Sequence, residues 1–93
     1  MDTDEMFVVK QVVSRALDKG YLLSVCDGEE FPVLHSDDLE EVMAELGHCD
    51  EEWLYVENAD RKKIGTIYLV YGNDPDEVVA DCTDKPEILE IVG

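Results

Sequence analysis

Thirteen Asp and Glu residues lie between Gly20 and Asp60, and this stretch contains no Lys or Arg. Like charges at this density repel one another, so a stable fold has to keep the carboxylates apart and mostly at its surface. The whole chain of 93 residues carries 24 acidic and 7 basic residues, a formal net charge of −17. Solubility of a small domain needs a net charge of only about 2 to 8. The excess charge therefore points to a function that uses it.

Apolar residues are numerous enough to build one domain over residues 1–93. They make up 45% of the chain, which is typical of globular proteins and too high for a disordered acidic tail. No segment approaches the roughly 20 apolar residues of a membrane span, and the acidic start differs from a secretory signal. These features predict a soluble cytoplasmic protein that binds no membrane. Direct nucleic-acid binding is not expected, because neutralising phosphates requires more Lys and Arg.

Hydrophobic periodicity predicts two helices. The first covers residues 4–19 and ends before Gly20, with an apolar side formed by Met6, Val9, Val13, Ala16 and Leu17. The second covers residues 36–47 and has acidic capping residues at its start. Its apolar stripe consists of Leu39, Val42, Met43 and Leu46.

Turn chemistry predicts the strands. Asp27-Gly28 between two apolar runs is typical of a β-hairpin, and Pro32 places the second strand at a sheet edge or a bulge. Residues 52–57, 63–71 and 77–82 predict a three-stranded meander, and residues 84–92 begin like a short helix that needs docking. We therefore predict an α+β domain with a single antiparallel sheet of four to five strands and helices on one face. The expected order is helix, hairpin, helix, meander, and the expected strand core is Leu22 or Leu23, Val25, Leu54, Val56, Ile67, Leu69 and Val79.

No catalytic motif, cofactor site or metal site is predicted. Cys26, Cys49 and Cys82 are odd in number and have no CxxC spacing, so free thiols are expected. His48 adjoins Cys49, which leaves a small enzyme or metal-binding protein as a minor hypothesis, although adjacent residues seldom bind one ion. The aromatic residues of the strands predict a cross-strand cluster before a stacking platform for bases.

The predicted second helix carries a row of carboxylates. Asp37, Glu41 and Glu45 follow one another at i, i+4 and i+8, about 6 Å apart along the helix. Phosphates along a nucleic-acid strand have a similar separation of about 6 to 7 Å. Such a row would fit a groove lined with Lys and Arg; the alternative is a solvated acidic face without a partner. The predicted partner-binding residues are Asp37, Asp38, Glu41 and Glu45, flanked by Glu29, Glu30, Asp50, Glu51 and Glu52.

Two segments near the end of the chain carry a resemblance to known proteins. They are YLVYGND at 68–74 and VVADCTD at 78–84, a strand, an Asn-Asp turn and a strand. With the N-terminal helix and the acidic helix, the chain resembles small uncharacterised proteins encoded by phages, prophages and plasmids of proteobacteria. This resemblance implies a shared fold and brings no catalytic residue. In size and charge the chain is also similar to phage-encoded DNA-mimic inhibitors such as anti-CRISPR and anti-restriction proteins.

The leading hypothesis is a non-enzymatic protein whose acidic surface blocks a basic, nucleic-acid-binding site on a host protein. The alternative is a small structural or regulatory protein that forms a homodimer through a strand edge. Pro32 would permit such an edge, and the apolar Val33 and Leu34 would contribute to it.

Overall fold

A five-stranded antiparallel sheet forms the centre of the computed structural model, which describes residues 2–93. Within these residues the chain forms three α-helices, five strands and one 3-10 turn. In chain order they are α1 (Thr3–Asp18), β1 (Leu22–Cys26), β2 (Val33–Ser36), α2 (Leu39–Ala44), β3 (Glu51–Glu57), β4 (Lys63–Val70), the 3-10 turn (Pro75–Glu77), β5 (Val79–Cys82) and α3 (Pro86–Val92). The predicted α+β class with one antiparallel sheet is confirmed.

The strand order is β2-β1-β3-β4-β5, and every neighbouring pair is antiparallel. Pairing of β1 with β3 joins the N-terminal hairpin to the meander. The strand that follows Pro32 lies at the sheet edge, and its register with β1 shifts between Leu23 and Val25. The edge position and the irregular register, the two outcomes expected because Pro32 lacks a backbone N–H, therefore both occur at β2.

One face of the sheet packs against the helices. Six predicted strand residues are fully buried on this face: Leu23, Val25, Leu54, Val56, Ile67 and Leu69. Val79, the seventh predicted residue, pairs with Leu69 and packs against the core, but it is only partly buried, whereas its neighbour Val78 is fully buried.

Helix α1 begins with a capping box, in which Asp2 and Glu5 each accept the other's backbone N–H. Its buried apolar residues are Val9, Val12, Val13 and Ala16. The prediction that Met6 faces the core is wrong, because Met6 is 46% exposed. The buried residue of the first turn is Glu5, whose carboxylate also accepts the Gly72 N–H at 2.8 Å.

Helix α2 is much shorter than the predicted 36–47. Ser36 belongs to β2 and pairs with Leu23, and Asp38 caps the helix by accepting the N–H groups of Glu40 and Glu41. The helix ends at Ala44, with Glu45 as its C-cap. The predicted apolar stripe is confirmed: Val42 and Leu46 are buried, and Leu39 and Met43 pack against the core.

Helix α3 docks through Ile88 and Ile91, which are fully buried. The Arg15 guanidinium donates to the Ile91 carbonyl, and Lys19 forms an ion pair with Glu90 at 3.0 Å. Lys85, not Asp84, is the N-cap residue, and it makes no side-chain cap bond. No helix within residues 2–93 is long and apolar enough to cross a membrane.

Candidate functional site

Four segments meet at one end of the sheet. The pairs Cys26 with Trp53 and Glu51 with Val70 place the β1–β2 turn, the segment before β3 and the segment after β4 at the same end. The bond from the Gly72 N–H to Glu5 adds the start of α1. Segments that are distant in the sequence therefore form one surface.

This end of the molecule is strongly acidic. The four segments cover residues 2–5, 27–32, 45–52 and 71–78, and they contain no Lys or Arg. All but one of the acids below are exposed; Asp27 is partly buried. We call this group the acidic end: Asp2, Asp4, Asp27, Glu29, Glu30, Asp50, Glu51, Asp74, Asp76 and Glu77.

Most of the positive charge lies at the other end of the sheet. The start of β4 pairs with the end of β3 through Lys63 and Glu57. The strand, turn and helix ends on this side carry five cations: Lys19, Arg61, Lys62, Lys63 and Lys85. Strands of seven or eight residues separate the two ends by about 23 Å. The Debye length at physiological salt is about 8 Å, so these cations do little to neutralise the acidic end.

The β1–β2 turn holds one carboxylate in its ionised form. The Asp27 side chain accepts the backbone N–H groups of Glu29 and Glu30 at 3.0 and 2.8 Å. These bonds, the one from Glu30 foremost, hold the pKa of Asp27 below its ordinary value. Gly28 has φ of 104°, a conformation that favours glycine. The Asp-Gly pair thus forms the turn and fixes a negative charge.

Two carboxylates at this end are buried rather than available to a partner. Glu52 was predicted to bind a partner, but it is 1% exposed and accepts the Gly47 N–H at 2.6 Å. Successive side chains of a strand point to opposite faces of the sheet, so Glu52 faces the helices while the next residue, Trp53, faces away from them. Burial raises the pKa of the Glu52 carboxyl group. Glu5 lines a cavity of about 360 Å³ beside Tyr71. The Tyr71 hydroxyl is buried and has no hydrogen-bond partner among residues 2–93.

The other predicted site residues divide between two places. Glu29, Glu30, Asp50 and Glu51 belong to the acidic end. Asp37 and Asp38 follow Ser36, which pairs with Leu23 toward the start of β1, so they lie toward the opposite end. Helix α2 then runs back through the exposed Glu41 to the partly buried Glu45. The predicted row of Asp37, Glu41 and Glu45 on one helix does not form, because Asp37 precedes the cap and Glu45 follows the last turn.

The His48-Cys49 pair lies at the acidic end. His48 Nε2 is 2.8 Å from the Ala44 carbonyl, and Cys49 is exposed and unpaired. Desolvation, followed by the negative charges of Glu52 and Asp27, raises the pKa of the Cys49 thiol. A raised pKa disfavours the thiolate that nucleophilic attack or zinc binding requires. Within residues 2–93, no group of three His, Cys, Asp or Glu side chains is arranged to hold a metal ion.

The sheet face opposite the helices carries the predicted aromatic cluster. The rings of Trp53 and Tyr68 stack across β3 and β4 with centroids 5.1 Å apart and planes at 21°. Phe31, from the β1–β2 turn, meets Tyr55 edge-on at 5.3 Å. Phe31 was not predicted to join this cluster, because its position depends on how the turn folds over β3. We call these four residues the aromatic face.

A buried polar cluster on the same face was also missed. Glu57 is 6% exposed and accepts the Ser24 hydroxyl at 3.0 Å, and His35 Nδ1 lies 2.9 Å from the same carboxylate oxygen. The backbone N–H of His35 in turn donates to the Ser24 hydroxyl oxygen. The Ser24 hydroxyl donates to Glu57 and not to the imidazole, so the cluster lacks the nucleophile-to-base bond of a serine hydrolase. Its bonds connect β1, β2 and β3.

No protein-family model matches this chain, and no curated protein or solved structure is significantly similar to it. The acidic end and the aromatic face are therefore the features of the molecule that bear on its function.

Proposed function

We propose that this chain is a non-enzymatic cytoplasmic protein, of the phage-encoded type it resembles, that occupies a basic nucleic-acid-binding site on a host protein. The observation that carries this proposal is the acidic end. Ten acids from four separate segments lie there without a Lys or Arg. A surface built to bind nucleic acid presents clustered Lys and Arg, and the acidic end has the complementary charge.

Electrostatics would act on both the approach and the bound state. The negative field of the acidic end attracts a basic partner over about one Debye length and raises the association rate. Close contact then releases counterions from both surfaces, so affinity should fall steeply as salt is added. The basic residues at the far end of the sheet favour one orientation, in which the acidic end leads.

Self-association through β2 is the second candidate, and one observation favours it. The strand lies at the sheet edge, and the apolar Leu34 is 59% exposed there. Edge strands with exposed apolar side chains are prone to pair with other strands. Two features oppose it: β2 has only four residues, and each copy would bring a net charge of −17 to the contact.

The proposal is tested by capture from a proteobacterial lysate with the wild-type chain and two charge-reversal variants. One variant changes three exposed acids of the acidic end: Glu30→Lys, Asp50→Lys and Asp76→Lys. The control changes three exposed acids at the other end: Asp60→Lys, Asp84→Lys and Glu87→Lys. Both change the net charge equally. Asp38 is left intact because it caps α2, and losing a cap costs about 1 kcal/mol.

We expect the wild type and the control to capture the same nucleic-acid-binding protein at low salt. High salt, added duplex DNA or the acidic-end variant should each abolish that capture. A partner retained equally by both variants would contradict the proposed site. A chain that captures nothing but sediments as a dimer would favour the β2 alternative.

A further inference from the structure

The aromatic face is a sheet surface that none of the three helices covers. All three helices pack into the core on the other side, while Trp53, Tyr55 and Tyr68 are only partly buried. Phe31 is 42% exposed. A cleft of about 220 Å³ is lined by Trp53 and Tyr55, by Cys26 at the end of β1 and by Gly28 in the turn that follows. Space beside flat rings is thus available on the surface of the molecule.

Acidic residues of the acidic end lie next to the residues that line this cleft. Gly28 stands directly against Trp53, since a Cβ there would lie 3.4 Å from the indole ring, and Asp27 and Glu29 flank that glycine. On the other side, the Tyr68 hydroxyl donates to the Glu51 carboxylate. The stacked rings and the acids therefore belong to one continuous surface.

We propose that this cleft receives an arginine side chain of the basic partner. This inference rests on the proposed function and specifies how the partner is held. A guanidinium is planar and weakly hydrated, so it stacks on aromatic rings while its N–H groups bond to carboxylates. The cleft offers the aromatic rings, and neighbouring residues of the acidic end carry the carboxylates.

The chain already places one of its own cations on this face. Lys63 Nζ lies 4.5 Å from the centroid of the Tyr55 ring. That contact has the geometry of a cation–π interaction on the aromatic face. Lys63 lies over Tyr55, and Tyr68 covers one face of the Trp53 ring, so an outside cation would meet the part of Trp53 that lines the cleft.

Charge decides against the other occupants. A second copy of the chain would bring acidic turns against acidic turns, and each copy has a net charge of −17. A nucleic-acid base would stack well, but its phosphates would face Asp27, Glu29 and Glu51. An arginine-bearing segment is the one occupant whose charge complements the border of the cleft.

Two peptides of equal charge provide the probe: acetyl-(Gly-Arg)4-amide and its Lys counterpart. Trp53 is the single tryptophan of the chain, so its fluorescence reports occupation of the cleft. We expect saturable change in Trp53 emission with the Arg peptide and weaker binding of the Lys peptide. In calorimetry, Trp53→Val should weaken Arg-peptide binding by about three- to thirtyfold. Phe7→Ala, an exposed aromatic truncation on α1, is the control and should bind like wild type.

The outcomes separate this inference from the proposed function. Neither variant alters the net charge, so long-range attraction is the same in all three proteins. Binding by wild type and Trp53→Val with equal affinity, both folded by circular dichroism, overturns the arginine cleft and leaves the acidic end as the site. Equal affinity for the Arg and Lys peptides also overturns it. Absence of binding by any of the proteins at low salt overturns both proposals, and a wild-type dimer with shielded Trp53 assigns the face to a second copy.

Discussion

Replacing Gly65 by Ala should loosen α3 from the sheet. Gly65 lies in β4 on the helix face, and a Cβ there would stand 2.5 Å from Ile88 Cγ1 and 2.6 Å from Ile88 Cδ1. The third neighbour, the Thr83 Cβ, would be 3.2 Å away. Ile88 is fully buried, so it has no free space into which it can move. The new methyl group therefore forces a shift of α3 or a strained rotamer.

The size of the effect follows from two opposing terms. Overpacking a filled core costs about 1 to 3 kcal/mol. Replacing glycine by alanine also restricts the unfolded chain, which returns about 0.4 to 1 kcal/mol. We expect a net loss of about 1 to 2 kcal/mol in the free energy of unfolding, which lowers the melting temperature of a domain this small by about 5 to 15 °C.

A double-mutant cycle in urea tests the contact directly. Ile88→Ala alone should cost about 2 to 5 kcal/mol because it leaves a cavity. In the double variant the Ala methyl at position 65 takes part of that space, so the two losses should fall short of additivity by about 1 kcal/mol. Gly65→Ala combined with Val42→Ala, a buried truncation in α2, serves as the additive control. Additivity in both cycles, or an unchanged midpoint for Gly65→Ala, would refute the packing argument.

Three further predictions follow from the buried acids and the thiols. Burial raises the folded-state pKa of Glu52 above its unfolded value, so the free energy of unfolding should rise as pH falls from neutral through that raised pKa. Denaturation midpoints should therefore show that Glu52→Gln stabilises the protein more at pH 7.5 than at pH 4.5, and the reverse order would contradict this prediction. Glu57→Ala should cost about 1 to 3 kcal/mol by leaving the Ser24 and His35 groups without their acceptor, whereas Glu57→Gln should cost less; equal losses in urea would rule out the hydrogen-bond explanation. Protein purified without added metal should contain no zinc, and a thiol reagent should detect three free thiols after unfolding, those of Cys26, Cys49 and Cys82. Stoichiometric zinc in elemental analysis would show this prediction to be wrong.

The sheet was predictable because its determinants are local. Asp27-Gly28 forms a turn wherever apolar runs flank it, and Pro32 disfavours a central strand regardless of the rest of the chain. Helix α2 was predicted too long because capping residues are ambiguous in sequence. Ser36, Asp37 and Asp38 are all good N-cap residues, and pairing of Ser36 with Leu23 excludes the first of them from the helix.

The acidic end was predicted only in part, through Glu29, Glu30, Asp50 and Glu51, because its assembly from four segments is a product of strand register. Asp27, Asp50 and Asp76 are more than twenty residues apart in sequence, and only the antiparallel order brings their segments to one end. The thirteen acids between Gly20 and Asp60, a stretch without Lys or Arg, drew attention to α2 instead. Burial of Glu52 likewise depends on which face of β3 meets the helices, which charge counting does not reveal.

The most direct test of the central claim compares two variants of equal charge. A fluorescently labelled acetyl-(Gly-Arg)4-amide peptide is titrated with each protein at 50 mM and 200 mM salt, with anisotropy as the readout. The two variants are those of the capture experiment. The first carries Glu30→Lys, Asp50→Lys and Asp76→Lys at the acidic end, and the second carries Asp60→Lys, Asp84→Lys and Glu87→Lys at the other end. The acidic end predicts that the first variant binds at least about tenfold more weakly than the second, with a shallower salt dependence. Equal weakening by both variants would show that binding follows net charge alone and would contradict a site at the acidic end.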